Sequence, residues 1–156
     1  MTDYTDVISL EQAKLYLKID DGQTVTDNEI IGMINSALSF IEKRTQHIFK
    51  TRNKVYYKDC ALVQQTTVYD YPINNPEGEG FIAGIVYKTN KAIVPTVDDY
   101  VTLNIGYDSV EDIPSELIDS ALQLINFWFY NSETKNAMNT VPDFVLSNLD
   151  VNRRFI

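Results

Sequence analysis

Between Ile30 and Ile48 the apolar residues return at helical spacing: Ile30, Ile34, Ala37, Leu38, Ile41 and Ile48, with Met33 and Phe40 widening the stripe. Such a stripe obliges the chain to bury one side of a long helix. Thr26-Asp27-Asn28-Glu29 precedes it in the pattern of a capping box, in which the first and last side chains satisfy amide donors of the first turn. Asp27 and Glu29 fall at the positive end of the helix and Lys43 and Arg44 at its negative end, as the macrodipole favours. The helix is predicted over residues 27–48. A second stripe, Leu117, Ile118, Ala121, Leu122, Leu124, Ile125, Trp128 and Phe129, follows Ile113-Pro114. Proline suits a first helical turn, where its missing N–H would be unpaired anyway. This predicts a helix over residues 114–131, packed on the first as the core.

The other elements are shorter. Ser9-Leu10-Glu11-Gln12 reads as a further capping box and predicts a helix over residues 9–18, with Leu10, Ala13, Tyr16 and Leu17 on one face. Asp20-Asp21-Gly22 is expected to end it, Gly22 supplying the turn conformation. Val141-Pro142 opens a last helix, 142–149, with Phe144, Val145, Leu146 and Leu149. Residues 54–58, 62–71, 81–88 and 100–107 are rich in Val, Ile, Tyr and Thr and read as four or five strands of a small antiparallel sheet. Val101, Leu103 and Ile105 alternate onto one face. Between them, residues 71–80 hold two Pro, two Gly and two Asn and read as a projecting loop. The expected fold class is α+β, mainly α: a bundle of about four helices with a small antiparallel β insertion, about 53–108, between the second and third. Residues 1–150 form one domain and 151–156 a C-terminal tail.

Composition narrows the function. The chain has 156 residues, 44% hydrophobic and 22% charged, which is ordinary globular usage. No window approaches the ~18 uncharged apolar residues of a membrane span. The acidic start Met1-Thr2-Asp3-Tyr4-Thr5-Asp6 is the opposite of a secretory signal. Cys60 is alone, so no intrachain disulfide or Cys-based metal cage forms; it is expected to pack in or beside the sheet. His47 is the only histidine, which leaves no two-His metal site, and its place near a helix end suggests a surface or capping role. Asp20-Asp21 and Asp98-Asp99 are explained as turn residues rather than acid/base couples. Phosphate-loop, dinucleotide and nucleophile-elbow patterns are absent. No enzyme activity and no cofactor are expected.

The net charge of −9 argues against tight binding to nucleic acid or to an anionic membrane. The charge is also uneven. Residues 1–29 carry seven acids against two bases, 42–58 carry six bases against Glu42, and 111–150 carry seven acids against Lys135. These blocks read equally well as solvated faces or as halves of a contact between copies. Contacts between two different patches build rings. An acidic surface also admits another reading, a DNA-mimic inhibitor, although the basic block opposes it.

The order of segments carries a resemblance. Val7-Ile8-Ser9-Leu10-Glu11-Gln12-Ala13-Lys14-Leu15-Tyr16-Leu17-Lys18-Ile19-Asp20 is followed by an acidic turn and Asp27-Asn28-Glu29-Ile30-Ile31. Much later come Val101-Thr102-Leu103-Asn104-Ile105-Gly106-Tyr107, Ile113-Pro114, and Ala121-Leu122-Gln123-Leu124-Ile125-Asn126-Phe127-Trp128-Phe129-Tyr130-Asn131. This resembles the head–tail connectors of tailed bacteriophages, the gp6-like adaptor or head-completion proteins. Where that family closes the helix on Arg-Glu, this chain has Ser132-Glu133; Pro142, Leu146, Leu149 and Arg153 echo its closing segment. The likeness covers about residues 7–50 and 100–155.

The resemblance implies a helical bundle with a small β element that forms a ring, usually twelvefold, under the portal vertex. Such a ring extends the DNA channel, completes the head after packaging and presents a surface to the next connector or the tail. The implied partners are copies of the chain, the portal protein and the next connector or tail-completion protein. DNA passes through without sequence-specific binding and no membrane is involved. The implied place is the head–tail junction of the virion, after synthesis in the bacterial cytoplasm. Arg153, Arg154, Phe155 and Ile156 are then the expected portal-docking tail. Lys43, Arg44, Lys50 and Arg52 are expected to meet Asp20, Asp21, Asp27 and Glu29 of a neighbour. The loop with Asn74, Asn75, Glu77, Gly78 and Glu79 is expected to face the channel or the next connector.

Overall fold

The computed structural model describes residues 3–60, 62–75, 85–88, 91–96, 98–131 and 140–153. In chain order the elements are α1 (Leu10–Leu17), α2 (Asp27–Thr45), β1 (Arg52–Tyr57), β2 (Gln65–Val68), β3 (Ile73–Asn75), β4 (Val86–Lys88), β5 (Lys91–Pro95), β6 (Tyr100–Ile105), a short 3-10 turn (Val110–Asp112), α3 (Ser115–Tyr130) and α4 (Asp143–Asn152). The class is α+β. Two compact units divide it: Met1–Thr45 with Ile113–Arg153, which is helical, and Gln46–Asp112, which carries the strands.

In the helical unit, α2 packs on α3, and α1 and α4 pack on both. The two predicted stripes are the core: Ile30, Ile34, Ala37, Leu38 and Ile41 from α2 are fully enclosed, as are Leu117, Ala121, Leu124 and Ile125 from α3. Trp128 is buried, and its indole N–H donates to the Thr140 carbonyl at 3.0 Å. From α4, Val145 and Leu149 are buried, whereas Phe144 is more than half exposed. Tyr4, Val7 and Ile8 add an N-terminal segment to the core; the Tyr4 hydroxyl donates to Glu42 at 2.8 Å, and its N–H to the Asn35 side chain at 2.8 Å.

α1 starts as the sequence predicts, the Ser9 hydroxyl accepting from the Gln12 amide at 3.1 Å. Its end differs. The left-handed residue is Lys18 (φ 58°), whose N–H reaches the Leu15 carbonyl at 3.2 Å while the Ile19 N–H reaches the Lys14 carbonyl at 3.0 Å. This double closure ends the helix at Leu17, five residues before Gly22. The face differs too: Tyr16 is exposed and Lys14 is buried in its stead. The capping box expected at α2 is incomplete, since the Thr26 hydroxyl is buried without a hydrogen-bond partner. The Thr26 carbonyl still accepts from Ile30 at 3.0 Å.

Among the described residues the strand unit holds two three-stranded antiparallel sheets, in the orders β1-β6-β3 and β2-β5-β4, where the sequence predicts one. Alternation makes one shared cluster of them: Val101, Leu103 and Ile105 of β6 with Ala92 and Val94 of β5, Val68 of β2, and Ile48. Two strands were not foreseen. β3 occupies part of the expected loop 71–80, pairing Ile73 with Ile105 and Asn75 with Asn104 across a bulge. β5 crosses 91–95, paired on both sides. The rest of that loop, with Glu77, Gly78 and Glu79, lies outside the described residues. α2 stops at Thr45, and α4 runs three residues past the predicted end into the expected tail.

Candidate functional site

The predicted contact residues separate into those held within the chain and those presented outward. In the helical unit, Lys14 is only 3% exposed, and its ammonium sits 2.5 Å from Asp27 Oδ1, 2.9 Å from the Gln23 carbonyl and 3.4 Å from that of Asp21. A charge this deep is tolerated only when paired and hydrogen-bonded. It ties the turn after α1 to the start of α2, so the acids of this turn are presented by a fixed backbone. Asp27 is thereby occupied. Asp20, Asp21 and Glu29 remain exposed around it.

The basic residues divide similarly. Arg44 donates from Nε (3.1 Å) and Nη2 (2.7 Å) to Asp150 Oδ1, joining α2 to α4. Lys43, one position earlier, points out and is exposed. Lys50 and Arg52 belong to the strand unit, just before β1 and at its first residue, and both are half-buried. Asn74 lies in β3, not in a loop; its side-chain amide donates to the Gly106 carbonyl and to Asp108 at 3.1 Å. Asn75 is in the same strand. Arg153 caps α4, and Arg154, Phe155 and Ile156 lie outside the described residues.

Among the described residues the helical unit carries twelve carboxylates against five Lys and Arg, and the strand unit seven against six. The surplus negative charge therefore belongs to the helices. On them, α1 and the turn after it form an open groove of about 540 Å³ lined by Ser9, Glu11, Gln12, Leu15, Ile19, Asp20 and Asp21.

Sequence reasoning missed three arrangements. His47 is buried, not at the surface: its Nδ1 is 2.6 Å from the Tyr107 hydroxyl, and its ring packs edge-on to Tyr71 at 5.4 Å and parallel to Tyr107 at 6.0 Å. Three aromatics from distant positions converge there, and no local spacing signals it. On β1, Lys54 and Tyr56 both reach Asp70 Oδ2 at 2.5 Å. Burial, reinforced by the Asp70 carboxylate, raises the Tyr56 phenol far above the usual tyrosine range. Cys60 is exposed, bridged to Val63 at the tip between β1 and β2. Among the described residues no group of three or more His, Cys, Asp or Glu side chains is placed to hold a metal ion, and no helix is long and apolar enough to cross a membrane.

No protein-family model matches the chain, and no curated protein matches it. Solved structures do. A chain from the neck of an empty gene transfer agent (GTA) particle, computed with C6 symmetry, superposes with a TM-score of 0.72 at 13% identity, covering 100% of this chain and 94% of that one. A chain from the virion of the native GTA particle gives 0.73 at 11%, over 100% and 94%. One from the neck of the native particle with C12 symmetry gives 0.69 at 12%, over 100% and 93%. The resemblance read from the segment order and this likeness agree: the chain has the fold of chains from the neck and virion of a gene transfer agent particle.

Proposed function

We propose that this chain is a structural component of a phage-like particle, a ring adaptor between the portal and the tail or next connector. The carrying observation is that the likeness to GTA neck and virion chains runs over the whole of this chain and over nine-tenths of theirs. A shared helix pair would not give that. The C6 and C12 symmetries of those necks fit a chain that repeats around an axis. In this reading the ring extends the DNA channel and completes the head at the head–tail junction, after synthesis in the bacterial host. It does no chemistry. A net charge of −9 suits a channel wall past which DNA slides without sticking.

The subunit interface is assigned to Lys43, Arg44, Lys50 and Arg52 of one copy against Asp20, Asp21, Asp27 and Glu29 of the next; within the chain Arg44 already pairs with Asp150 and Asp27 with Lys14. Arg153, Arg154, Phe155 and Ile156 form the portal-docking tail, because paired arginines beside bulky apolar residues suit interface centres. The segment after β3, with Glu77, Gly78 and Glu79, faces the channel or the next connector.

Electron microscopy of the chain mixed with the portal of its own particle tests this. A ring of copies beneath the portal is expected, and deleting residues 153–156, beyond the last residue of α4, should abolish binding while circular dichroism stays unchanged. Binding that survives the deletion removes the tail assignment. A chain that never associates with the portal removes the adaptor reading.

A further inference from the structure

We propose that Asp59 guards the free edge of β2, and that without it this strand pairs with the β2 of a second copy. The proposal does not rest on the ring reading. Val63-Gln64-Gln65-Thr66-Thr67-Val68-Tyr69 holds no charge, no proline and no glycine, and the first charged residue on its far side is Asp70. Segments of this length and composition stack on copies of themselves when an edge lies open. β2 runs through the middle of the segment and stands at the edge of its sheet among the described residues.

The open edge arises at a fork. β1 and β2 leave one hairpin, in which the Val63 N–H donates to the Cys60 carbonyl at 3.2 Å and the Asp59 N–H to the Gln65 carbonyl at 3.1 Å. One residue earlier the ladder changes partner: the Lys58 N–H donates to the Asp99 carbonyl at 2.9 Å, and β1 continues along β6. A hairpin that stayed zipped would offer the Tyr57 carbonyl to the Thr67 N–H. Asp59 takes that place. Its Oδ1 accepts from the Thr67 N–H at 2.9 Å and its Oδ2 from the Thr67 hydroxyl at 2.7 Å. Asp59 is exposed, so these bonds cover an edge that another chain can reach. The residue imitates one position of a paired strand and then stops the ladder with a negative charge. An incoming β2 would have to displace the carboxylate from Thr67, and a symmetric pair would bring two such carboxylates together.

Sedimentation velocity and amide hydrogen exchange on the full-length chain test the guard. Asp59→Ala should form species larger than those of the unaltered chain, with an onset at about tenfold lower concentration. Below that onset its Thr67 amide should exchange about tenfold faster. Asp119→Ala removes the same charge from an exposed position on α3 and should leave the size distribution unchanged. Adding Thr67→Lys to Asp59→Ala should reverse the association, because like charges then face each other across the β2–β2 pair. Asp59→Ala chains no larger than the unaltered chain at any concentration overturn the proposal. Equal association of Asp119→Ala, or association that survives Thr67→Lys, overturns it as well. So does loss of fold in Asp59→Ala, since the carboxylate would then be holding the hairpin rather than shielding its edge.

Discussion

Gly106 directly follows β6 at a position where a side chain does not fit. Its φ is 111°, and a Cβ there would stand 2.5 Å from the Lys50 carbonyl oxygen. Its N–H donates to Pro72 at 2.9 Å, and the next amide, of Tyr107, donates to Ile48 at 3.0 Å. The clashing atoms are backbone, so little can yield. Gly106→Ala should destabilise by about 2–3 kcal/mol, read as a lowered denaturation midpoint at unchanged slope. Tyr56 gives a pH signature. Its folded phenol keeps its proton above the range where the unfolded one ionises, so the native state holds more protons there. Stability is then intact below about pH 10 and falls as pH rises beyond it. Absorbance titration should show a late tyrosine ionisation at high pH, and Tyr56→Phe should remove that step. Gly106 and Tyr107 entered the sequence reading only as part of the segment order that carries the resemblance. The His47, Tyr71 and Tyr107 cluster did not enter it, because its members are brought together by chain reversal rather than spacing.

At the scale of elements, helices were legible where a wide stripe met a capping signal, and their ends were not. α1 closes on Lys18 and α2 opens on a buried ion pair, each determined by atoms from another segment. Lys14→Met keeps the length of the side chain but leaves Asp27 and two carbonyls unpaired. It should cost about 3 kcal/mol, and Lys14→Met with Asp27→Leu should restore part of that in a double-mutant cycle. Equal losses in the single and double variants would show that the turn is held by other contacts. Strands β3 and β5 were unreadable for a related reason. Ile73-Asn74-Asn75 lies between prolines, its two asparagines disfavour a strand, and it pairs because β6 offers it a ladder.

For the whole molecule, the uneven charge has a measurable consequence. Lys43 is exposed at the end of α2, while Arg44 beside it is committed to Asp150. Lys43→Glu should weaken ring assembly with no loss of fold, and added salt should reproduce the effect by screening, as sedimentation at rising ionic strength would read. Arg44→Glu should instead lower the melting temperature, since it sets two acids against each other between α2 and α4. Assembly indifferent to both Lys43→Glu and salt would remove the electrostatic part of the interface.

The sequence by itself determined the class, the two core helices, the buried face of β6 and the sign and distribution of charge. Each follows from period or composition, and these are properties of adjacent residues. Only the tertiary structure decided that the strands form two sheets, that Lys14 is buried and Tyr16 is not, and which charged residues remain available to a neighbour. Those outcomes depend on which distant groups desolvate one another, and a buried charge or a short polar strand is stable only once its partner has been brought to it.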